Sequence, residues 1–287
     1  MISLKNILVP TDFSDSSKKA LAYGLTLAGA FNSNLILVHV APEPRATLTR
    51  DIEALLPADY NAKSNLRTII KTGNVEDELL MMVKNEAIDM VVMGTHSRRL
   101  PEWWFLGSVT EHILRKVPVP VLTVSGVDPT KDSRGFFALK NILYATDLSE
   151  SSRIGMEYAI ELARKAAASL AVLHVIDNED RMLWGPAILT DIDRPKIVEE
   201  FRLKLHEFVS EERVPDVAME GFIAEGKPFS KIIEFADERN VDIIVLNMQS
   251  KGVLDRVILG STAERVVRVA RVPVLSVPTS RSEEKNE

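Results

Sequence analysis

The chain has 287 residues, a net charge of -6 and no cysteine, and 46% of its residues are hydrophobic. The length suffices for two ordinary domains, the negative charge disfavours nucleic-acid binding through a basic surface, and the missing cysteine excludes disulfides and thiol catalysis. No apolar run reaches the roughly 18–20 residues that cross a bilayer, and the first residues lack a secretory signal, so a cytoplasmic protein is expected.

Short runs rich in valine, isoleucine and leucine alternate with segments of helical periodicity in the first half of the chain. Such runs are typical of buried parallel strands, and apolar residues at every third or fourth position indicate helices. We predict strands at 7–10, 35–40, 66–71, 90–93 and 121–124, and helices at 14–31, 75–86 and 108–117. This alternation predicts an α/β fold with a doubly wound parallel sheet and helices on both faces.

The second half of the chain repeats the first. NILVPTDFSDSS begins at Asn6 and NILYATDLSESS at Asn141, 135 residues later. FLGSVTEHILRKVPVPVL begins at Phe105 and ILGSTAERVVRVARVPVL at Ile258, 153 residues later, so the second copy has 18 additional residues before this block. Repeats of this size predict domains at 1–127 and 139–279, a linker at 128–138 and a disordered tail at 280–287.

Polar residues follow the first strand of each copy, where sheets of this class bind ligands. Asp12 and Asp147 stand there, and an aspartate could bind a ribose hydroxyl or an adenine amine, or could order the turn before the next helix. The residues leave both roles open. His39 and His174 lie near the ends of the second strands, and we expect packed, structural histidines because nothing nearby completes a metal site or a catalytic triad.

Glycines bracket the segment GTHSRRLPEWWFLGS, which runs from Gly94 to Ser108 and opens a predicted helix. Free backbone N–H groups make a helix start an anion site, and glycine lets a ligand approach the backbone. The same glycines suit any tight turn, so the segment alone leaves both interpretations open. GFIAEGKP at 221–228 has the spacing of a P-loop, but Pro228 stands where Ser or Thr must bind magnesium, and its first residues have a strand pattern.

The Thr-Asp and His-Val strand ends, the closing Val-Pro-Val-Leu strand and the loop before it resemble the universal stress protein family, once in each half. Nucleotide-binding members of that family carry G-x2-G-x9-G-[ST] in this loop. The first copy has Gly94, Ser97, Gly107 and Ser108 at the motif positions, and the second has Asn247, Ser250, Gly260 and Ser261. The first copy therefore lacks one glycine and the second lacks two.

The resemblance implies two domains, each a five-stranded parallel sheet in the order 3-2-1-4-5, with ATP or AMP, with or without magnesium, across the strand ends. We expect the domains to pack as a pseudo-dimer, with the closing strands at 119–124 and 273–277 as the seam, because each would otherwise be an apolar edge. The nucleotide contacts implied in the first half are Pro10, Thr11, Asp12, Val40, Met93, Gly94, Ser97, Arg98, Gly107, Ser108 and Val109. Those implied in the second half are Ala145, Thr146, Asp147, Val175, Asn247, Ser250, Gly260, Ser261 and Thr262.

The sequence thus predicts an adenine-nucleotide-binding regulator of the stress response, without a metal site, a nucleic-acid partner or a membrane partner. A homodimer of the whole chain stays open. We expect the first half to bind more readily, because it adds Arg98 and Arg99 and because Asn247 would point toward the ribose or base. The altered glycines favour an alternative, a degenerate member that acts only through protein contacts. Slow ATP hydrolysis also stays open, although no residue set is recognisable as activating a nucleophile or water.

Overall fold

A computed structural model describes residues 2–43, 47–56, 65–95, 106–125, 139–177, 194–248 and 260–279. The elements of the first half are β1 (Asn6–Pro10), α1 (Asp15–Phe31), β2 (Asn34–Ala41), α2 (Leu48–Glu53), β3 (Leu66–Thr72), α3 (Val75–Asn85), β4 (Met90–Gly94), α4 (Ser108–Lys116) and β5 (Val121–Val124). Those of the second half are β6 (Asn141–Thr146), a 3-10 turn (Glu150–Ser152), α5 (Arg153–Ala166), β7 (Ser169–Ile176), α6 (Arg194–Glu211), β8 (Met219–Glu225), α7 (Pro228–Glu238), β9 (Ile243–Met248), α8 (Ser261–Val269) and β10 (Val274–Pro278). The predicted linker and tail lie outside the described residues.

The helix ends follow from local chemistry. Ser14 caps α1, since its hydroxyl accepts from the Ser17 N–H at 3.3 Å. Asn74 caps α3 through two such bonds, and acidic residues fill the first turn, where they favour the helix dipole. At the far ends of α1 and α5, Asn32 and Ala167 adopt left-handed backbone with φ of 54° and 52°. The same backbone device therefore ends the corresponding helix in each half.

All ten strands form one sheet, in the order β3-β2-β1-β4-β5-β10-β9-β6-β7-β8. Pairing is parallel within each half, and the predicted α/β class is confirmed. Each half has its strands in the order expected from the sequence. The segment 221–224 lies in β8 as expected, which is incompatible with a P-loop there.

The closing strands join the two halves. β5 and β10 pair antiparallel, with Leu122 opposite Leu275. The Thr123 hydroxyl adds a bond to the Val274 carbonyl across the same junction, at 3.1 Å. The strands expected at the seam therefore pair directly, and two five-stranded sheets become one. The apolar clusters on the two faces of the sheet each include residues from both halves.

Helices α4 and α8 meet above this junction through four charged side chains. Arg115 contacts Glu264 at 3.0 Å, and Arg268 contacts Glu111 at 3.2 Å. Each arginine also pairs with the glutamate of its own helix, at 3.1 and 2.8 Å. The hydrogen bonds that Arg268 donates to Glu264 raise the pKa of Arg268. The quartet has the symmetry of the repeat, because each helix contributes one glutamate and one arginine.

Candidate functional site

The carboxyl ends of β1 and β4 mark the point in the first half where the strand order reverses. β1 pairs with β2 on one side and β4 on the other, and the chain reaches β4 only after it has formed β3 at the edge. Open parallel sheets bind ligands at such a switch point. Pro10 and Gly94 are the last residues of these two strands, so these two candidate residues lie at neighbouring strand ends.

The turn after β1 is ordered by Asp12 and Thr11. One carboxylate oxygen of Asp12 accepts bonds from the Ser14 N–H, at 3.0 Å, and from its hydroxyl. The Thr11 hydroxyl accepts from the Phe13 N–H at 3.1 Å, and Phe13 has a φ of 65°. Asp12 is exposed. It therefore has the turn-ordering role considered from the sequence, and contact with a ligand stays a prediction.

The second half repeats this turn bond for bond. Asp147 accepts from the Ser149 N–H at 3.0 Å and from its hydroxyl at 2.6 Å. The Thr146 hydroxyl accepts from the Leu148 N–H at 3.0 Å, and Leu148 has a φ of 60°. Ala145, the preceding residue of β6, is half-buried. The polar start of the candidate site is thus the same in both halves.

The two histidines hold these turns to the second strands. Nδ1 of His39 lies 2.8 Å from the Thr11 carbonyl, and Nδ1 of His174 lies 3.0 Å from the Thr146 carbonyl. A carbonyl oxygen only accepts, so Nδ1 of each ring donates and carries a proton. Phe201 of α6 stacks on His174 at 4.9 Å. The histidines bridge β2 or β7 to the preceding turn, which is the structural role expected.

An apolar floor lies on the α3 and α4 side of the sheet. Val40 and Met93 are buried, and Val109 packs against the same cluster. Val175 is the matching member in the second half. The structure thus places three candidate residues that are far apart in the sequence on the same face of the sheet.

Gly94 is pressed against the start of α1. A Cβ atom at this position would lie 2.6 Å from the Ser16 hydroxyl oxygen and 2.8 Å from the Ser16 carbonyl carbon. The Gly94 carbonyl accepts from the Thr110 hydroxyl at 2.9 Å, which links the end of β4 to α4. Gly94 therefore has a packing reason to be glycine, independent of any ligand.

Gly107 is less closely packed than Gly94. Its φ of -58° and ψ of 143° are open to any residue, and among the described residues a Cβ would make one tight contact, with the Thr95 carbonyl oxygen at 3.3 Å, and an ordinary one with the Thr110 hydroxyl at 3.8 Å. No described side chain caps α4, whose first residue, Ser108, is exposed. In the second half Gly260 has a φ of -60°, and again no side chain among the described residues caps α8. Ser261 and Thr262 open that helix.

The loops between the fourth strands and these helices are outside the described residues. They contain Ser97 and Arg98 in the first half and Ser250 in the second, so these three candidate residues keep only their sequence-based prediction.

Asn247 does not point toward the ligand position, contrary to the expectation from the sequence. Its Oδ1 accepts from the Tyr144 hydroxyl at 2.7 Å, and its Nδ2 donates to the Ser151 carbonyl at 3.3 Å. The side chain fills a space beside Gly155, where a Cβ would lie only 2.2 Å from Asn247 Oδ1. The Asn247 side chain therefore packs beneath the start of α5. Burial raises the pKa of its partner Tyr144, so the Tyr144 hydroxyl stays neutral and can donate.

The first half fills the same space differently. Val9 and Ala20 occupy the repeat positions of Tyr144 and Gly155, and Gly94 that of Asn247. We call these two sets the packing triads. In each triad the residue sizes compensate: the second half has larger residues in its strands and glycine in its helix, whereas the first half has smaller strand residues and alanine in its helix. Sequence reasoning missed this compensation, and the only signal for it was that all three positions differ between the aligned repeats.

Family comparison matches the universal stress protein family model at residues 3–125 and again at 138–278. The chain belongs to the universal stress protein family. A universal stress protein of Mycobacterium bovis, Mb2028c, is 24% identical over 294 residues, which cover 94% of this chain and 95% of the relative. The relative MJ0577 of Methanocaldococcus jannaschii is 31% identical over 162 residues, covering 50% of this chain and 97% of its own.

Solved structures show the same tandem fold. A universal stress protein from Archaeoglobus fulgidus superposes with a TM-score of 0.65 at 20% identity, over 96% of this chain and 98% of that one. A protein of unknown function from Pseudomonas aeruginosa superposes with a TM-score of 0.72 at 18% identity, over 96% and 92%. In the described part of this universal stress protein, no helix is long and apolar enough to cross a membrane. The same residues contain no group of three acidic or histidine side chains able to hold a metal ion.

Proposed function

We propose that this universal stress protein binds adenine nucleotide, ATP or AMP, as a regulatory ligand in the stress response. The proposal rests on one observation above the others. The uncapped, glycine-led start of α4 stands at the strand switch point, on the same side of the sheet as the buried Val40 and Met93. A helix start of this kind favours an anion, and an apolar floor favours a flat base.

Gly107 is the strongest argument for phosphate at the helix start. Its backbone angles do not need glycine, and a Cβ there would need only a small adjustment against the Thr95 carbonyl, the nearest described atom at 3.3 Å. A side chain at this position would stand near the N–H groups of the first turn of α4, which have no partner within the helix. A phosphate that approaches those groups gives a stronger reason for glycine than the one contact with the Thr95 carbonyl.

The ribose and base have matching neighbours. Asp12 is exposed and uses one carboxylate oxygen in its turn, so the other can accept from a ribose hydroxyl. Val40, Met93 and Val109 offer an apolar surface on one side of the strand ends. The carboxylate, the apolar surface and the helix start thus offer one partner each for the ribose, the base and the phosphate.

The second half repeats these groups in Asp147, Val175, Gly260 and Ser261. One reason to expect weaker binding there was the side chain of Asn247, and that side chain is hydrogen-bonded to Tyr144 and Ser151 instead. The other reason, Arg98 and Arg99 in the first half, lies outside the described residues. We therefore propose two nucleotide sites per chain, with affinities that differ less than the motif positions predict.

Calorimetric titration of the full chain with ATP and with AMP tests this proposal, after unfolding of a sample to detect nucleotide carried through purification. We expect about two equivalents of adenine nucleotide to bind. An absence of binding at millimolar ATP and AMP would overturn the proposal and favour the alternative in which the protein acts only through protein contacts.

A further inference from the structure

An open groove of about 950 Å³ lies at the amino ends of β7 and β8. The candidate nucleotide sites lie at the carboxyl ends of the strands, on the opposite side of the molecule from this groove. This volume is in the range of small-molecule sites. Its floor includes the buried residues Leu170, Val217 and Val241. The rings of Phe222 and Phe235 extend the floor along one wall. The groove therefore offers apolar contact to a ligand of modest size.

Arg239 is fixed over this aromatic wall. Its guanidinium lies 4.5 Å from the centre of the Phe222 ring and 5.3 Å from that of Phe235. Contact with a ring uses the flat face of a guanidinium and leaves its N–H edge able to bind a carboxylate with two parallel bonds. Arg239 is exposed, so this edge is accessible.

In the first half an ion pair spans the space between β3 and α3 that corresponds to the groove. Arg67 of β3 contacts Glu86, just after α3, at 2.7 Å. In the repeat these positions hold Glu220 and Arg239, with the charges exchanged. The strand register is the same, since Arg67 stands opposite Ile36 and Glu220 opposite Ala171. Yet Glu220 and Arg239 do not pair, although both are within the described residues, and the groove is open between strand and helix.

A second arginine lines the groove without a neutralising partner. Arg213 is exposed, and no ion pair joins it to any described residue. The nearest acids along the chain are engaged elsewhere: Glu212 contacts Arg153 at 2.8 Å, and Asp216 contacts Arg164 at 2.6 Å. Glu211 also pairs with Arg153. In a chain with a net charge of -6, this leaves an uncompensated local positive charge.

We propose that this groove binds a small monocarboxylate with an apolar acyl or aryl tail. The carboxylate would pair with Arg239 and Arg213, and the tail would lie on the apolar residues at the bottom of the groove. Glu220 is also on the rim, so the three charged groups sum to a single positive charge. That balance suits one negative charge and disfavours a polyphosphate, which separates this site from the proposed nucleotide site.

Calorimetry on the full chain tests the site with decanoate and 4-phenylbutyrate as the two carboxylates, and with decan-1-ol and decyltrimethylammonium as neutral and cationic analogues. We expect one carboxylate per chain to bind, and the stronger of the two identifies an acyl or an aryl tail. Arg239→Gln and Arg213→Gln should each weaken binding about tenfold, because each removes a charge-assisted hydrogen bond. Arg67→Gln, the matched change in the first half, should leave the affinity unchanged.

Ala218→Trp fills the groove without changing its charge, and we expect it to abolish binding while the circular dichroism spectrum stays native. Saturation with ATP should leave carboxylate binding unchanged, so failure here and failure of the nucleotide proposal are distinguishable. Equal binding of decan-1-ol and decanoate, an unchanged affinity in both arginine variants, or no carboxylate binding at millimolar concentration would each overturn the proposal.

Discussion

The two halves of the molecule have the same turns and helix starts at the carboxyl ends of their strands, but they differ in how the fourth strand packs against the first helix. The turns at Asp12 and Asp147 have matching hydrogen bonds, and α4 and α8 both begin uncapped after glycine. Beneath β4 the first half packs glycine against α1, whereas beneath β9 the second half inserts Asn247 against α5. A motif glycine can therefore be lost for a packing reason, with the surface above it preserved.

We expect the largest loss of stability when one residue of the second packing triad, the asparagine, replaces its counterpart Gly94 in the first half. Gly94→Asn would place a Cβ 2.8 Å from a backbone carbon of Ser16, which cannot swing aside as a side chain can. We expect a loss of about 3 kcal/mol in the free energy of unfolding, the upper end of overpacking costs. Urea unfolding followed by circular dichroism measures it.

The reverse change is the control. Asn247→Gly removes hydrogen bonds to Tyr144 and Ser151 but creates no clash, so we expect a cost of about 1 kcal/mol. Equal costs for the two variants would contradict the packing comparison.

Gly155→Ala tests the coupling inside the second triad. The new Cβ would lie 2.2 Å from Asn247 Oδ1, and the amide must move and lose its bond to Tyr144. We expect a cost of about 2 kcal/mol, which falls to less than half in an Asn247→Gly background. The four unfolding free energies form a double-mutant cycle. A cost that is the same in both backgrounds would mean that Asn247 does not occupy this space.

Much of the fold was predictable because its signals are local. Each predicted strand of the first half begins and ends within one residue of the observed one, since a buried parallel strand is a short apolar run between polar residues. The seam was predictable because β5 and β10 are apolar edges that need a partner. The start of α4 at Ser108 was predictable for a similar reason, since a helix start follows a recognisable pattern.

The orientation of Asn247 was not predictable in the same way. It depends on Tyr144 and Gly155, which lie about a hundred residues earlier and contact it only in the folded chain. A motif read along the sequence treats position 247 alone. The open groove beside Arg239 has the same origin, because Glu220 and Arg239 look like an exchanged ion pair until the aromatic contacts of Arg239 are seen.

Tyr144 gives the second half a pH dependence that Val9 cannot give the first. Burial raises the pKa of Tyr144 above the usual value near 10, so the folded state keeps the proton that the unfolded state releases. The stability contributed by the neutral hydroxyl is present below about pH 10 and is lost as the pH rises further. Tyr144→Phe should cost about 1 kcal/mol at pH 7. It should also reduce the loss of stability between pH 7 and 10.5, measured by urea unfolding, and an identical loss in both proteins would contradict this.

The smallest effect is expected where the halves are equivalent. Glu111→Gln and Glu264→Gln each remove one bridge between α4 and α8 within the partly exposed quartet. Each should lower the free energy of unfolding by less than about 1 kcal/mol, by the same amount, and less at high salt. Thermal unfolding at two salt concentrations checks this, and clearly unequal costs would show that the seam is not symmetric.

The number of nucleotides bound per chain shows whether both halves bind, and calorimetry measures it on the unmodified protein and on Gly107→Val and Gly260→Val variants whose circular dichroism is native. We expect about two equivalents for the unmodified chain and about one for each variant, because each valine would cover one helix start. A single equivalent that is lost in Gly107→Val and retained in Gly260→Val would contradict this expectation, since the second half would then be closed despite the inward position of Asn247.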